Sequence, residues 1–397
     1  MILTKQAPIS FDDTSIAFSS KSDQRLLKMY WLFAAMNNNF LVSMGTAAMK
    51  TALKLNLPVK GLIKATIFEH FCGGETIEGC EATIQDLARF NIGTILDYSV
   101  EGEESEASFD RTAKEVIATI KKAAGNPAIP FSVFKVTGIA SFDLLAKVQR
   151  GTTLAASEQQ AFEQVKSRME AICSSAYQHK VRIFIDGEDS WIQHTIDDLA
   201  YEMMEKYNKE EALIYNTFQL YRKDMFQNLK HAFAKSVEHN YFLGAKLVRG
   251  AYMEKERSEA LKNGLPDPIQ PNKASTDRDF DLALQFCVEH IDRISFCAGT
   301  HNEASTLYLV NLMEQHNISP HDQRVYFAQL YGMSDNISYN VAKAGYNVAK
   351  YVPYGPVEAV MPYLFRRAEE NTAMAGQSSR EFKLIQKEKQ RRKRQKV

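Results

Sequence analysis

Eight short β-rich runs, amphipathic segments between them, and a polar side chain ending nearly every run predict an α/β chain. The expected fold is a (βα)8 TIM-type barrel. The runs are TILDYSV from Thr94, FSVFKVT from Phe131, VRIFID from Val181, ALIYNTF from Ala212, LGAKLVRG from Leu243, ISFCAGT from Ile294, RVYFAQL from Arg324 and NVAKYVP from Asn347. Their bodies are Val-, Ile-, Leu-, Phe- and Ala-rich, as strands buried on both faces require. The connecting segments, 108–124, 153–179, 189–208, 221–238, 277–291, 304–316 and 336–344, are long enough for crossover helices. A doubly wound open sheet is the alternative, weakened because no GxGxxG turn follows any run.

The flanks read differently. From Gln24 to Phe71 apolar residues recur every three or four positions, which predicts two or three helices as an N-terminal arm over 1–72. GGET, at 73–76, punctuates its end. The barrel is expected over 73–375 and a basic C-terminal tail over 376–397. From Glu381 that tail carries eight Lys/Arg against two Glu, which suits either a solvated disordered extension or a patch for an anionic membrane surface. Arg366 follows Tyr351 by fifteen residues, so a helix running down the outer wall would carry it about 15–20 Å from the barrel mouth. If Arg366 serves a site at the mouth, the last helix lies over that mouth and leaves an outer slot for an N-terminal helix.

Composition narrows the function classes. Of 397 residues, 45% are apolar and 24% charged, with net charge zero, so nothing global points to nucleic acid. The five cysteines are scattered without a CxxC pair, which argues against a disulfide framework or a structural zinc site and for a reducing, cytoplasmic-type compartment. No signal or transit pattern and no membrane-length apolar run is expected.

Barrel chemistry belongs at the C-terminal ends of the strands. Those ends carry Tyr98, Lys135, Asp186, Asn216 with Gln219, Arg249 to Tyr252, Thr300 to Asn302, Gln329 and Tyr351. Lys135 and Asp186 can meet across the mouth and hold each other charged, or simply form a rim ion pair. Lys246 shares the strand parity of Val248. If both face the interior, that ammonium is costly without an anion or electron-rich ligand; a Schiff-base nucleophile is the other reading. Gly250 and Ala251 let a planar ligand approach the backbone. Thr300, His301 and Asn302 offer hydroxyl, imidazole and amide for a phosphate and a ring edge, although a structural histidine fits the same pattern. His301 has no partner at metal-ligand spacing, so no metal is expected. Arg366, Arg367 and Glu370 fall on one helix face. Adjacent guanidiniums suit bidentate capture of a carboxylate or phosphate, and a solvated charged helix end is the plain alternative. Tyr351 offers an aromatic wall, and Glu75 reads as a helix N-terminal acid.

KLVRGAY at 246–252, AGTHNEAS at 298–305, YFAQLYGM at 326–333, YVPYG, RRAEEN, IDGEDS at 185–190 and GGET closely resemble the proline dehydrogenases, in matching order from about residue 65 to 371. The KLVRGAY form resembles a monofunctional, eukaryotic-type branch, with lysine where many bacterial members have arginine. The resemblance implies an FAD-dependent enzyme that oxidises L-proline to 1-pyrroline-5-carboxylate, passing hydride from ring C5 to flavin N5 and electrons to a membrane quinone. It implies that Arg366 and Arg367 grip the proline carboxylate with help from Lys135, and that Asp186 orients Lys135. Tyr351 and Leu330 would wall the ring, with Tyr252 nearby. Glu370 would meet the substrate ammonium or hold an arginine, and Glu75 would pair with an arginine as a gate. Arg249, Gly250, Ala251, Thr300, His301 and Asn302 would contact the flavin dinucleotide, with Asn216, Gln219 and Lys246 near the isoalloxazine. A separate pyrroline-5-carboxylate dehydrogenase would take the product. The expected location is the cytoplasm, with peripheral attachment to the inner face of the membrane as an option. Competing readings are hydroxyproline oxidation, which Tyr351 disfavours by crowding ring C4, a Schiff-base lyase, and a metabolite-binding barrel without turnover.

Overall fold

The computed structural model describes residues 9–55, 59–100, 104–373 and 377–396, and leaves undescribed the side chains at 39, 41, 50–54, 62, 368–373 and 377–379. In chain order the helical arm comprises α1 (Thr14–Ala17), α2 (Asp23–Met36), α3 (Asn39–Lys54), α4 (Lys60–Ile63), a π-helical turn (Lys64–Phe68) and α5 (Glu69–Phe71). Then follow α6 (Glu81–Ala88), β1 (Ile92–Tyr98), α7 (Glu106–Ala123), β2 (Phe131–Phe134), α8 (Phe142–Gln149), α9 (Ala156–His179), β3 (Arg182–Ile185) and α10 (Ser190–Tyr207). The chain continues through β4 (Ile214–Gln219), α11 (Met225–Glu238), β5 (Leu243–Val248), α12 (Met253–Lys262), α13 (Lys273–Glu289), β6 (Ile294–Gly299) and α14 (Glu303–Gln315). Last come β7 (Val325–Leu330), α15 (Asp335–Lys343), β8 (Val348–Tyr354), α16 (Met361–Ala373) and α17 (Gln377–Gln395). The eight strands close into a barrel in sequence order, the (βα)8 fold expected from the alternation. Among the described residues no helix is long and apolar enough to cross a membrane.

The chain divides into two compact units, Met1–Gly102 with Gln329–Val397, and Glu103–Ala328. In the second, strands β2 to β7 pair in parallel, each with the next. Alternate side chains face inward. Phe131 stacks on Phe184 at 4.3 Å between centroids, Tyr215 meets both edge-on at 5.5 Å, and Tyr326 meets Phe131 at 4.8 Å. This aromatic layer fills the strands' inner side below the residues that carry chemistry. Helices α8 and α12 are additions to the regular repeat, each between a strand and its main crossover helix.

In the first unit β1 and β8 pair in parallel from Ile92 with Val348 to Tyr98 with Tyr354. Helix α16 does not cover β8. Its Met361, Tyr363 and Leu364 join an apolar cluster with Phe68, Phe71 and Cys72 of the arm, and with Leu330 and Met333 at the end of β7. The helix therefore packs beside the C-terminal end of β7. Helix α15 takes the outer face, where its Asp335 pairs with Lys350 of β8 at 2.9 Å. Residues 377–395 are not a solvated tail. Helix α17 buries Leu384 and Ile385 against Phe18, Leu26, Met29 and Phe33. Its basic residues act as latches: Arg392 donates to the carbonyls of Phe18 and Lys21, at 2.9 and 2.8 Å, and to Asp23 at 2.9 Å.

Candidate active site

In the second unit the strand ends gather an acid–base network. Lys246 and Asp186 face inward from β5 and the end of β3, with Nζ 2.5 Å from Oδ1. The Lys246 ammonium also lies 5.6 Å from the Phe184 ring centroid. Cys297, the register neighbour of Lys246 on β6, is buried, and burial pushes its thiol up to about 12, so it stays a neutral wall. Lys135, just past β2, acts on Glu188 of the IDGEDS turn. Glu188 accepts the Thr137 N–H at 3.0 Å and the Thr137 hydroxyl. Burial pushes its carboxyl up, while Lys135 and Thr137 oppose the rise. Sequence reasoning passed over Glu188; three carboxylates within four residues, Asp186, Glu188 and Asp189, were the available signal. Gln219 is buried and donates to the Glu188 carbonyl at 2.7 Å.

Asn216 does not join this set. Residues 216 and 219 have opposite strand parity, so only one can face inward. The Asn216 amide points into the helix layer and donates to Asp197 of α10 at 2.8 Å. Its expected place beside a bound ring is therefore a correction. The same parity sends Lys246 inward and Arg249 outward. Arg249 donates to Asp277 at 2.7 Å, Thr300 Oγ1 at 2.7 Å and Ser305 Oγ at 2.9 Å, which ties the β6–α14 turn to α13. Although burial raises it, hydrogen bonds from Lys273 and Arg249 hold the Asp277 carboxyl below its usual range. Asn302 caps α14, accepting from the backbone N–H groups of Ala304 and Ser305 at 2.9 and 3.1 Å. His301 lies between Thr300 and Asn302 on the same turn.

Gly250 has φ +125°, and a Cβ there would lie 2.4 Å from the Tyr221 ring. The glycine is thus demanded by its own neighbour as well as by any ligand. The Tyr221 hydroxyl is buried without a hydrogen-bond partner among the described residues. Ala251 is exposed, and the Lys255 ammonium lies 6.0 Å from the Tyr252 ring centroid. The donor set here is an ammonium, a guanidinium, an imidazole and an amide, which suits an anionic heteroaromatic ligand. Among the described residues no group of three or more His, Cys, Asp or Glu is placed to hold a metal ion.

In the first unit Tyr351, buried in β8, accepts the Tyr331 N–H on its carbonyl at 2.8 Å. Leu330, half-buried, precedes Tyr331. Arg366 and Arg367 follow each other on α16; Arg367 is buried, its guanidinium 5.2 Å from the Tyr363 ring centroid. The Glu370 side chain lies outside the described residues. Glu75 departs from expectation. GGET runs beside the end of β8, with the Gly73 N–H donating to the Pro353 carbonyl at 2.9 Å and Gly74 bridging to Tyr354. A Cβ on Gly73 would lie 2.4 Å from Val352. So placed, Glu75 pairs with Lys64 rather than with an arginine, and that bond holds its carboxyl below the usual range.

The sequence profile of the proline dehydrogenase family matches residues 80–380. "Proline dehydrogenase 1, mitochondrial" of Dictyostelium discoideum is 33% identical over 428 residues, covering 96% of this chain and 74% of that protein. "Carbapenem antibiotics biosynthesis protein CarD" of Pectobacterium carotovorum subsp. carotovorum is 33% identical, covering 84% and 86%. Among solved structures, proline utilization A (PutA) from Bdellovibrio bacteriovorus, inactivated by N-propargylglycine, superposes with TM-score 0.70 at 20% identity over 93% of this chain. This chain spans 40% of that protein's length, and at that identity the likeness concerns the fold. With three quarters of its length inside the family profile and a barrel of the same kind, the chain belongs to the proline dehydrogenase family.

Proposed function

We propose that this chain oxidises L-proline to 1-pyrroline-5-carboxylate with FAD as its resident cofactor. The observation that carries the reading is the inward-facing ion pair of Lys246 and Asp186 in a chain of this family. An ammonium on the inner side of a barrel strand supplies the positive charge that an electron-accepting ring favours. Its pairing with Asp186 is the state of an electrostatic group, not of an amine attacking a carbonyl, which sets the Schiff-base reading aside. The orphaned Tyr221 hydroxyl, on a ring packed against Gly250, and the cationic, imidazole and amide donors fit a flavin dinucleotide. Lys246 and Gln219 would attend its ring, and Arg249, Gly250, Ala251, Thr300, His301 and Asn302 its phosphate and ribose portions. When bound, FAD would supply the two-electron acceptor for hydride from C5 of the proline ring.

The remaining roles belong to the chain's own side chains. Arg366 and Arg367 take the substrate carboxylate, which adjacent guanidiniums can grip bidentately. Lys135 adds a second cation, held near Glu188. Asp186 orders Lys246. Tyr351, Leu330 and Tyr252 exclude water from the ring and orient it. Electrons leave to a membrane quinone, and the product passes to a separate pyrroline-5-carboxylate dehydrogenase.

The test is a visible absorption spectrum of the purified protein before and after anaerobic L-proline. Flavin bands that bleach on addition are expected. A colourless protein that also fails to bind added FAD would overturn cofactor and reaction together. Bound flavin that only 4-hydroxyproline reduces would overturn the substrate and keep the chemistry.

A further inference from the structure

The turn joining β7 to α15 is held from behind by buried groups that take no part in the chemistry above. Lys350, on the outer side of β8 and 0% exposed, donates to the carbonyls of Leu330 at 3.3 Å and Met333 at 2.5 Å. It also pairs with Asp335 at 2.9 Å. Lys21, from the arm, reaches the other Asp335 oxygen at 3.2 Å. His70 Nε2 meets the Gly332 carbonyl at 2.8 Å. Glu381 of α17, 4% exposed, accepts the Ser334 N–H. Inside the turn the Ser338 hydroxyl donates to Gln329 Oε1 at 2.7 Å and to the Ser334 carbonyl at 3.3 Å.

The turn needs such support. Ser334 has φ +51° and Gly332 φ +77°. A Cβ on Gly332 would come within 2.4 Å of the His70 carbonyl oxygen. Backbone in these regions persists only when its surroundings over-determine it. The turn begins at Leu330, and the Tyr331 N–H donates to the Tyr351 carbonyl at 2.8 Å. A displacement of residues 331–334 therefore moves both aromatic and aliphatic walls assigned above to the substrate ring.

Glu381 is out of place for a group that merely fastens a helix. Helix α17 already buries Leu384 and Ile385 and is latched by Arg392, so a buried carboxyl adds a desolvation cost without need. Its oxygen is spent on one backbone N–H, that of Ser334. We infer that Glu381, with Lys350, is a positioning residue for the substrate pocket: the C-terminal helix acts through the 331–334 turn to set Leu330 and Tyr351 against the ring. This rests on the reading of those two residues as the ring wall.

Glu381→Leu tests it. Leucine matches the volume, leaves no buried charge and removes the acceptor; Glu381→Gln keeps an acceptor oxygen. The expected result is a rise of about ten-fold in KM for proline in Glu381→Leu. Its kcat stays within about two-fold, its flavin content is unchanged, and Glu381→Gln stays near the wild type at neutral pH. A lowered melting temperature with KM unmoved would mean a purely structural role and would overturn the inference. Should Glu381→Leu fail to fold, Ser338→Ala loosens the same turn from within α15 and carries the test, with a smaller KM rise expected and an unmoved KM overturning the inference. A wild type that reduces its flavin with 4-hydroxyproline but not proline overturns the substrate assignment instead, a result separate from an unmoved KM in a proline-active enzyme.

Discussion

Two buried lysines on barrel strands, each paired with an aspartate, differ in one respect that separates architecture from chemistry. Lys350 of β8 points outward and is sealed, its side chain 0% exposed, and its three donors meet the Leu330 carbonyl, the Met333 carbonyl and Asp335. Lys246 of β5 points inward, keeps a side-chain exposure of 9%, and leans on Asp186 and the face of Phe184. A buried ammonium is tolerated when every donor is satisfied. Sealing and saturation mark Lys350 as structural. Residual access on the inner side of the barrel is what the role proposed for Lys246 requires. The distinction is parity along a strand, and it is invisible in residue type.

The largest effect expected from breaking this contrast is on stability at Lys350. Lys350→Met leaves two carbonyls and one side of Asp335 without their donor, and costs about 3–5 kcal/mol in denaturant unfolding. Adding Asp335→Asn recovers part of the loss, because the buried charge goes with its partner. A Lys350→Met protein as stable as the wild type would show that the outward lysine is not structural.

Lys246→Met is the mirror case. Proline-dependent flavin reduction is expected to slow about 10²–10³-fold, the usual effect of deleting a charge aimed at a reacting group. Flavin stays bound, and the loss of unfolding free energy is well below that of Lys350→Met. Stopped-flow reduction and denaturant unfolding on the same preparations check both halves. Equal stability losses with reduction unimpaired would erase the contrast.

The barrel was legible because strand bodies and crossover helices carry different periods, and the eight runs fall on the eight strands within three residues at either end. The position of α16 was legible from a length argument about Arg366. What escaped was orientation. Asn216 and Gln219 were read together although their odd spacing forces one outward. The N-cap role of Asn302 at α14 went unread, although Asn before a helix start signals it. Glu75 was given a remote partner when Lys64, eleven residues upstream, reaches it first. The docking of α17 was hidden because its apolar pair, Leu384 and Ile385, is outnumbered by charge. Only the complementary face of α1 and α2 shows that a basic segment buries anything.

The smallest expected effect concerns the pH response of the cluster behind Lys350, where two groups oppose each other. Burial holds the His70 imidazole down to about 4, so its protonation below its ordinary value of 6.5 destabilises the fold as pH falls. Burial and Asp335 push the Glu381 carboxyl up to about 7 from 4.5. Its contribution is therefore fully present below 4.5 and lost as pH rises through 7. Between pH 4.5 and 6.5 the two slopes have opposite sign, because falling pH charges a group that should be neutral and neutralises one that burial disfavours when charged. Glu381→Gln removes one arm. Its melting temperature should drop more steeply than that of the wild type from pH 6.5 to 4.5. His70→Gln, which keeps a donor for the Gly332 carbonyl, should reverse the difference. Differential scanning calorimetry of the three proteins across this window reads the differences directly, since all other titrating groups are common to them. Parallel curves would mean that His70 and Glu381 bind protons alike in the folded and the unfolded protein across this range. The support behind the β7–α15 turn would then be insensitive to pH, as a fully saturated ion cluster around Lys350 would be.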